Sequence, residues 1–210
     1  MNLRALAAWL LTLAAGAAQA QDPGKPLLLV AKPELRGPYS RTALLVVPRH
    51  GEHVGFILNR ATDIRLAALF PDHAPSAKVA DPVYFGGPEM SDAIFAIVPR
   101  DPGGLSVHLF GELFLTANAE TVDRIIEQTP NEARYFAGFV SWQPGELAKE
   151  IESGYWYVDD ADATLLFRKD TAAMWDELVK RLGKPRAPPG NMLQTRRDAP
   201  RGRFPGYCAR

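Results

Sequence analysis

The chain has 210 residues, 47% of them hydrophobic, and its 24 lysines and arginines balance 24 acidic residues. That length suits one folded domain with a core of its own, needing no metal or disulfide staple. The single cysteine, Cys208, excludes an internal disulfide, so stability rests on the core.

Residues 1–20 read as a cleavable signal peptide. Arg4 supplies the positive start, Ala5 to Ala18 is an uncharged apolar stretch, and Ala18-Gln19-Ala20 is a small-x-small cleavage site. The apolar stretch falls short of the ~20 residues that span a bilayer. The expected mature chain starts at Gln21 and is periplasmic or secreted, with no transmembrane segment left after cleavage.

Leu27–Ala31 and Thr42–Val47 are short apolar runs rich in strand formers, separated by Gly37-Pro38. Val54–Leu58 is a third strand, and Gly51 between the second and third predicts a hairpin. Ile64 to Phe70 reads as a short helix stopped by Pro71. Strands follow at Val83–Phe85, Ile94–Val98 and Leu105–Phe110, with Gly103-Gly104 as a tight turn between the last two. Asn118 to Gln128 is a capped helix with Val122, Ile125 and Ile126 on one face. Arg134–Val140 is a strand. Pro144–Ser153 is a helix ended by Gly154. Tyr155–Val158 and Thr164–Phe167 are strands. Asp170–Leu182 is a final helix with Asp170 or Thr171 as cap and Gly183 as stop. Strands outnumber helices and often follow one another directly. The expectation is α+β: a single compact domain over 21–183, its mixed, largely antiparallel sheet flanked by helices.

Charge is unevenly placed. Residues 184–210 hold Lys184, Arg186, Arg196, Arg197, Arg201, Arg203 and Arg210 against one acid, Asp198, among many prolines and glycines. Such a composition predicts a disordered basic tail, able to contact an anionic surface or the acidic core of its own chain. Nucleic acid is disfavoured as a partner, because the core is acidic and export removes the usual target.

The catalytic motifs are incomplete. His50-x-x-His53 offers two metal ligands across a turn, but His73 and His108 lie on other elements and a third ligand is missing, so no metal or other cofactor is expected. Ser141 stands between a strand and a helix without the glycines of a nucleophile elbow. Gly86-Gly87-Pro88 lacks the Lys-Ser/Thr of a phosphate loop. Asn59-Arg60 is a polar pair after an apolar strand: a turn, or an anchor for an anion through Arg60. The densest candidate is Trp142 to Glu150. Trp142 offers an apolar face and Gln143 an amide, while Glu146 and Glu150 share a helix face. The alternative for each is structural: core packing for Trp142, helix-dipole support for Glu146.

Four segments, in order, resemble the YqgE/AlgH family of bacterial proteins. They are Val54-Gly55-Phe56-Ile57-Leu58-Asn59-Arg60, Pro82-Val83-Tyr84-Phe85-Gly86-Gly87-Pro88, Gly138-Phe139-Val140-Ser141-Trp142-Gln143-Pro144-Gly145-Glu146-Leu147, and Glu150-Ile151. Trp156 and Leu165-Leu166-Phe167 follow, and the resemblance covers roughly 27–183. It implies a compact mixed sheet flanked by helices and no established reaction. It also implies a mostly cytosolic family with a suggested part in transcriptional control, which an exported protein cannot play by touching a promoter. The function expected is a non-enzymatic module that binds a protein or small ligand in the envelope through Asn59, Arg60, Trp142, Gln143, Glu146 and Glu150. The alternative is a hydrolase with its site near Trp142, Glu146 and Glu150.

Overall fold

A computed structural model describes residues 23–184. The expected signal peptide with its cleavage site, the tail beyond Lys184 and Cys208 lie outside the described residues.

β1 (Leu27–Ala31) has five apolar residues and no polar one, so neither face can meet water; every residue of it is buried. It lies between β2 (Ala43–Arg49) and β10 (Trp156–Asp160), antiparallel to both. β2 turns into β3 (Glu52–Ile57) through His50 and Gly51, at φ +50° and +89°. Two successive positive φ values give the type I′ geometry that suits a two-residue hairpin, as expected there.

β9 (Arg134–Trp142) joins the two halves of the sheet. Its end, 140–142, pairs with β3, and its start, 134–137, pairs with β6 (Glu89–Val98). β5 (Pro82–Phe85) runs parallel to it, and β4 (Ala61–Arg65) pairs with β5. β8 (Leu113–Thr116) extends the sheet from β6, and β7 (Val107–Phe110) closes that edge. The path is β10-β1-β2-β3-β9-β6-β8-β7, antiparallel except for β5 against β9.

Three apolar clusters form around this sheet. α5 (Met174–Leu182) buries Met174, Trp175 and Leu178 against Leu28, Val30, Leu45 and Phe56, and the Trp175 indole donates to the Ala31 carbonyl at 2.7 Å. α2 (Ala119–Gln128) packs Val122, Ile125 and Ile126 on Ala96, Val98 and Tyr135. Its cap is Asn118, whose Oδ1 accepts from the Thr121 N–H at 3.0 Å. α3 (Glu146–Glu152) sets Leu147 over Leu29, Leu44, Trp142 and Trp156. The architecture is therefore one α+β domain with a curled, largely antiparallel sheet.

Four local expectations are corrected. Thr164–Phe167 is not a strand: Ala163–Leu166 is a short helix, α4, whose start is held by Asp162 Oδ1 accepting from the Thr164 N–H at 2.9 Å. The helix expected from Ile64 begins only at Leu66 (α1, Leu66–Leu69). The residues before it form β4, tied to β5 by the Thr62 hydroxyl on the Val83 carbonyl. Gly103-Gly104 does turn the chain, but the strands flanking it are both partners of the unforeseen β8 and do not pair with each other. Finally, α5 starts at Met174; Asp170 instead accepts from the Ala172 N–H at 3.2 Å and shapes the preceding turn.

Candidate functional site

The motif segments meet where β9 crosses β3 and β5. Gly86 and Gly87 pass so close to β9 that an added Cβ would stand 2.1 Å from the Gly138 carbonyl oxygen or 2.2 Å from the Phe139 carbonyl carbon. Gly138 itself sits at φ +70°, and a side chain there would meet the Gly87 oxygen at 2.4 Å. Only glycine allows this crossing of main chains. Gly55 on β3 leaves the slot that the tip of the Trp142 ring fills: a Cβ there would lie 2.8 Å from Cζ3.

Trp142 is therefore a core residue. It is 4% exposed and packs with Leu147 and Trp156, itself buried, so neither tryptophan offers a binding patch. Gln143 is exposed, and its N–H donates to Glu146 Oε2 at 2.8 Å. With the Glu146 N–H donating to the Gln143 carbonyl at 3.0 Å, that bond closes the turn that leads from β9 into α3. Asn59 also serves the backbone: Oδ1 accepts from the Ala43 N–H at 2.9 Å, and Nδ2 donates to the Arg41 carbonyl at 2.9 Å. Arg60 donates to the Pro38 carbonyl. Together Asn59 and Arg60 clip the loop before β2 to the end of β3.

Arg60 and Glu150, distant in sequence, come together around Tyr39. Burial raises the Tyr39 phenol above its ordinary value; Glu150 and Glu89 raise it further, and Arg60 pulls the other way. Burial lowers the Arg60 guanidinium. Tyr39 packs beside Phe85 and Ile151 on the third cluster. The result is a polar face with a half-buried phenol, one cation and two carboxylates. Glu146 is bound to the turn before its own helix, so of the expected set Asn59, Trp142 and Glu146 hold the fold, Arg60 both clips the loop and stands near Tyr39, and Glu150 acts on Tyr39. Tyr39 and Glu89 were not visible as site residues, because the contacts joining them cross from one loop to a distant strand and helix.

The geometry separates the groups of the other motifs. His50 is exposed in the hairpin turn, whereas His53 is 3% exposed with Nε2 at 2.8 Å from the Pro23 carbonyl. His53 stands opposite Trp142, and Ser141 opposite Val54. Side chains of neighbouring strand residues leave opposite faces, so His53 and Ser141 point away from each other. No helix of the described residues is long and apolar enough to cross a membrane.

Fold and motif crossing together define a single small α+β domain of known architecture. A solution structure of the AlgH protein of Pseudomonas aeruginosa is similar at a TM-score of 0.64 and 25% identity, over 76% of this chain and 88% of that one. A crystal structure of a Corynebacterium diphtheriae protein shares the fold, with a TM-score of 0.64 at 22% identity over 80% of this chain and 92% of that one. A UPF0301 protein of Chlorobium limicola is 31% identical over 167 residues, covering 77% of this chain and 87% of the relative. One of Sodalis glossinidius is 25% identical, covering 74% and 89%. The AlgH-like family, DUF179, matches residues 28–187, and the chain belongs to that family.

Proposed function

We propose that this protein is a non-enzymatic module that binds a protein or small ligand in the bacterial envelope. The observation that carries the reading is the half-buried Tyr39, flanked by Arg60, which donates to the neighbouring Pro38 carbonyl, and packed on the cluster of Ile151, the residue after Glu150; Glu150 and Glu89 act on its phenol by charge. Such a face can hold a polar partner in one orientation, since charge complementarity sets register and on-rate. Arg4, the apolar stretch to Ala18 and Ala18-Gln19-Ala20 support export, and the family match begins only at residue 28, after that segment. The basic residues of 184–210 in the sequence support a second contact, to anionic surfaces.

The test is capture from envelope extract with the chain from Gln21. A Glu89→Ala/Glu150→Ala double variant should lose the captured partner, while Glu146→Ala, which disturbs only the helix start, should keep it. Equal capture by the double variant and the wild type overturns the reading. For export, sequencing the N-terminus of the fractionated protein should give Gln21; Met1 in a cytosolic or membrane fraction contradicts it.

A further inference from the structure

Arg134 opens β9 opposite Ile97 and is 1% exposed, among the largest fully buried side chains of the domain. A guanidinium carries five N–H donors and stays charged in proteins. The Arg168 carbonyl and the Tyr84 side chain, which acts on it by charge and by a hydrogen bond, hold this one. Nη2 donates to the Arg168 carbonyl at 2.8 Å, and Cζ lies 4.1 Å from the centroid of the Tyr84 ring. Nε and Nη1 are buried and without a partner among the described residues.

The charge is only partly compensated as well. Asp81 is the carboxylate that acts on Arg134 electrostatically, but it forms an ion pair with Lys169 at 2.6 Å. Glu132 on the same wall is taken by Arg100 at 2.5 Å. With those pairs neutralised, Arg134 is the remaining charge. Burial lowers its pKa, which Tyr84 and Asp81 only partly offset. Buried charges are as a rule paired and hydrogen-bonded. A buried guanidinium whose Nε and Nη1 find no partner among the described residues is a site built for something negative.

Arg134 lines a cleft of about 230 Å³, with Arg100, Asn131, Glu132, Phe167 and Lys169. The Asn131 side chain fixes one wall, accepting from the Ala80 N–H at 2.9 Å and donating to the Lys78 carbonyl at 3.1 Å. Across Pro99, Arg100 and Glu132 the cleft adjoins a second, of about 160 Å³, lined by Arg124. Arg124 repeats the pattern, since its Nη2 too is buried and unpartnered.

We propose that this double cleft binds a small molecule bearing an oxyanion, a carboxylate or a phosphate monoester, which seats on Arg134. The volume suits a small head group and excludes a large cofactor. Entry goes past the Lys169–Asp81 pair. Lys169 is 64% exposed, and ion pairs at such sites hold weakly, so an incoming oxyanion can take the place of Asp81 on Lys169 and reach Arg134 behind it. Charge-assisted bonds to the idle N–H groups then supply the specificity. The site shares no residue with the face around Tyr39, and its success or failure is independent of that reading.

The experiment is titration of the full chain with inorganic phosphate and, in a separate arm, with succinate, followed by calorimetry and by thermal melting against chloride at equal ionic strength. One of the two oxyanions should bind saturably and raise the midpoint where chloride does not; which one does so tells the phosphate source from the carboxylate source. Lys169→Ala should weaken that binding by about tenfold. Arg134→Lys, which keeps a charge but loses the donor array, should abolish it, while Lys180→Ala, outside the cleft, should leave it unchanged. If neither oxyanion stabilises beyond chloride, or if a folded Arg134→Lys binds as well as the wild type, the proposal is wrong. Should Arg134→Lys fail to fold, unchanged binding in Lys169→Ala overturns it alone.

Discussion

Trp142 and Gly55 are complementary residues: one fills the space that the other leaves, across the β3–β9 pairing. Trp142→Ala should therefore cost ~3–5 kcal/mol through the cavity it opens. Gly55→Ala should cost ~1–3 kcal/mol, because its methyl meets the indole inside contact distance. Urea unfolding of the two variants measures both; a neutral Trp142→Ala would return that side chain to the list of binding residues. Tyr135 gives a pH signature. Burial pushes its phenol well above the ordinary value, so the folded state keeps a proton that the unfolded chain releases. Stability is then complete below about pH 10, the value of an unperturbed phenol, and falls as the pH rises past it toward the folded-state value. Tyr135→Phe should flatten that alkaline loss in melts taken across the range; an unchanged profile contradicts the assignment. Arg134 was not legible as a site in the sequence, because its standing depends on Asp81 and Glu132 being claimed by Lys169 and Arg100.

Among the elements, the strands with strong apolar runs and the helices with a cap and one apolar face are legible in the sequence. β1, β2, β3 and β9, and α2 with Asn118, stand within a few residues of where the periodicity puts them. The failures came where two or three apolar residues in a row fit either state. Leu165-Leu166 is such a run, and Asp162, the residue that decides for helix, lies three positions earlier. β8 escaped because Leu113–Thr116 is four residues long and exists through its partners β6 and β7. The start of α3 yields a local prediction. Glu146→Ala removes the acceptor of the Gln143 N–H in the turn before the helix and should cost about 1 kcal/mol in thermal melts. A loss several times larger would show that Glu146 does more than close the helix start.

In the molecule as a whole, one long strand, β9, carries the link between the two halves of the sheet, and glycines 86, 87 and 138 permit the crossing. This gives a physical meaning to the segments that carry the resemblance: their Gly55, Gly86, Gly87, Gly138 and Trp142 set the geometry of the crossing. The fold was therefore readable from them and the site only partly so. Asn59 and Trp142, chosen for their chemistry, turn out to hold backbone and core, while Arg60 and Glu150 reach the polar face through contacts that no spacing reveals. Apolar packing in the described residues is complete by α5, whose buried residues end at Leu178. A chain of residues 21–183 should therefore unfold cooperatively at the midpoint of the longer chain. The central claim is that a binding face around Tyr39 rides on this scaffold, with the Glu89 and Glu150 side chains serving the face and not the fold. The most direct test is partner capture by the Glu89→Ala/Glu150→Ala variant, read beside its melting temperature. The account predicts that capture is lost while the midpoint stays with that of the wild type. Capture that persists, or that disappears only because the variant unfolds, contradicts it.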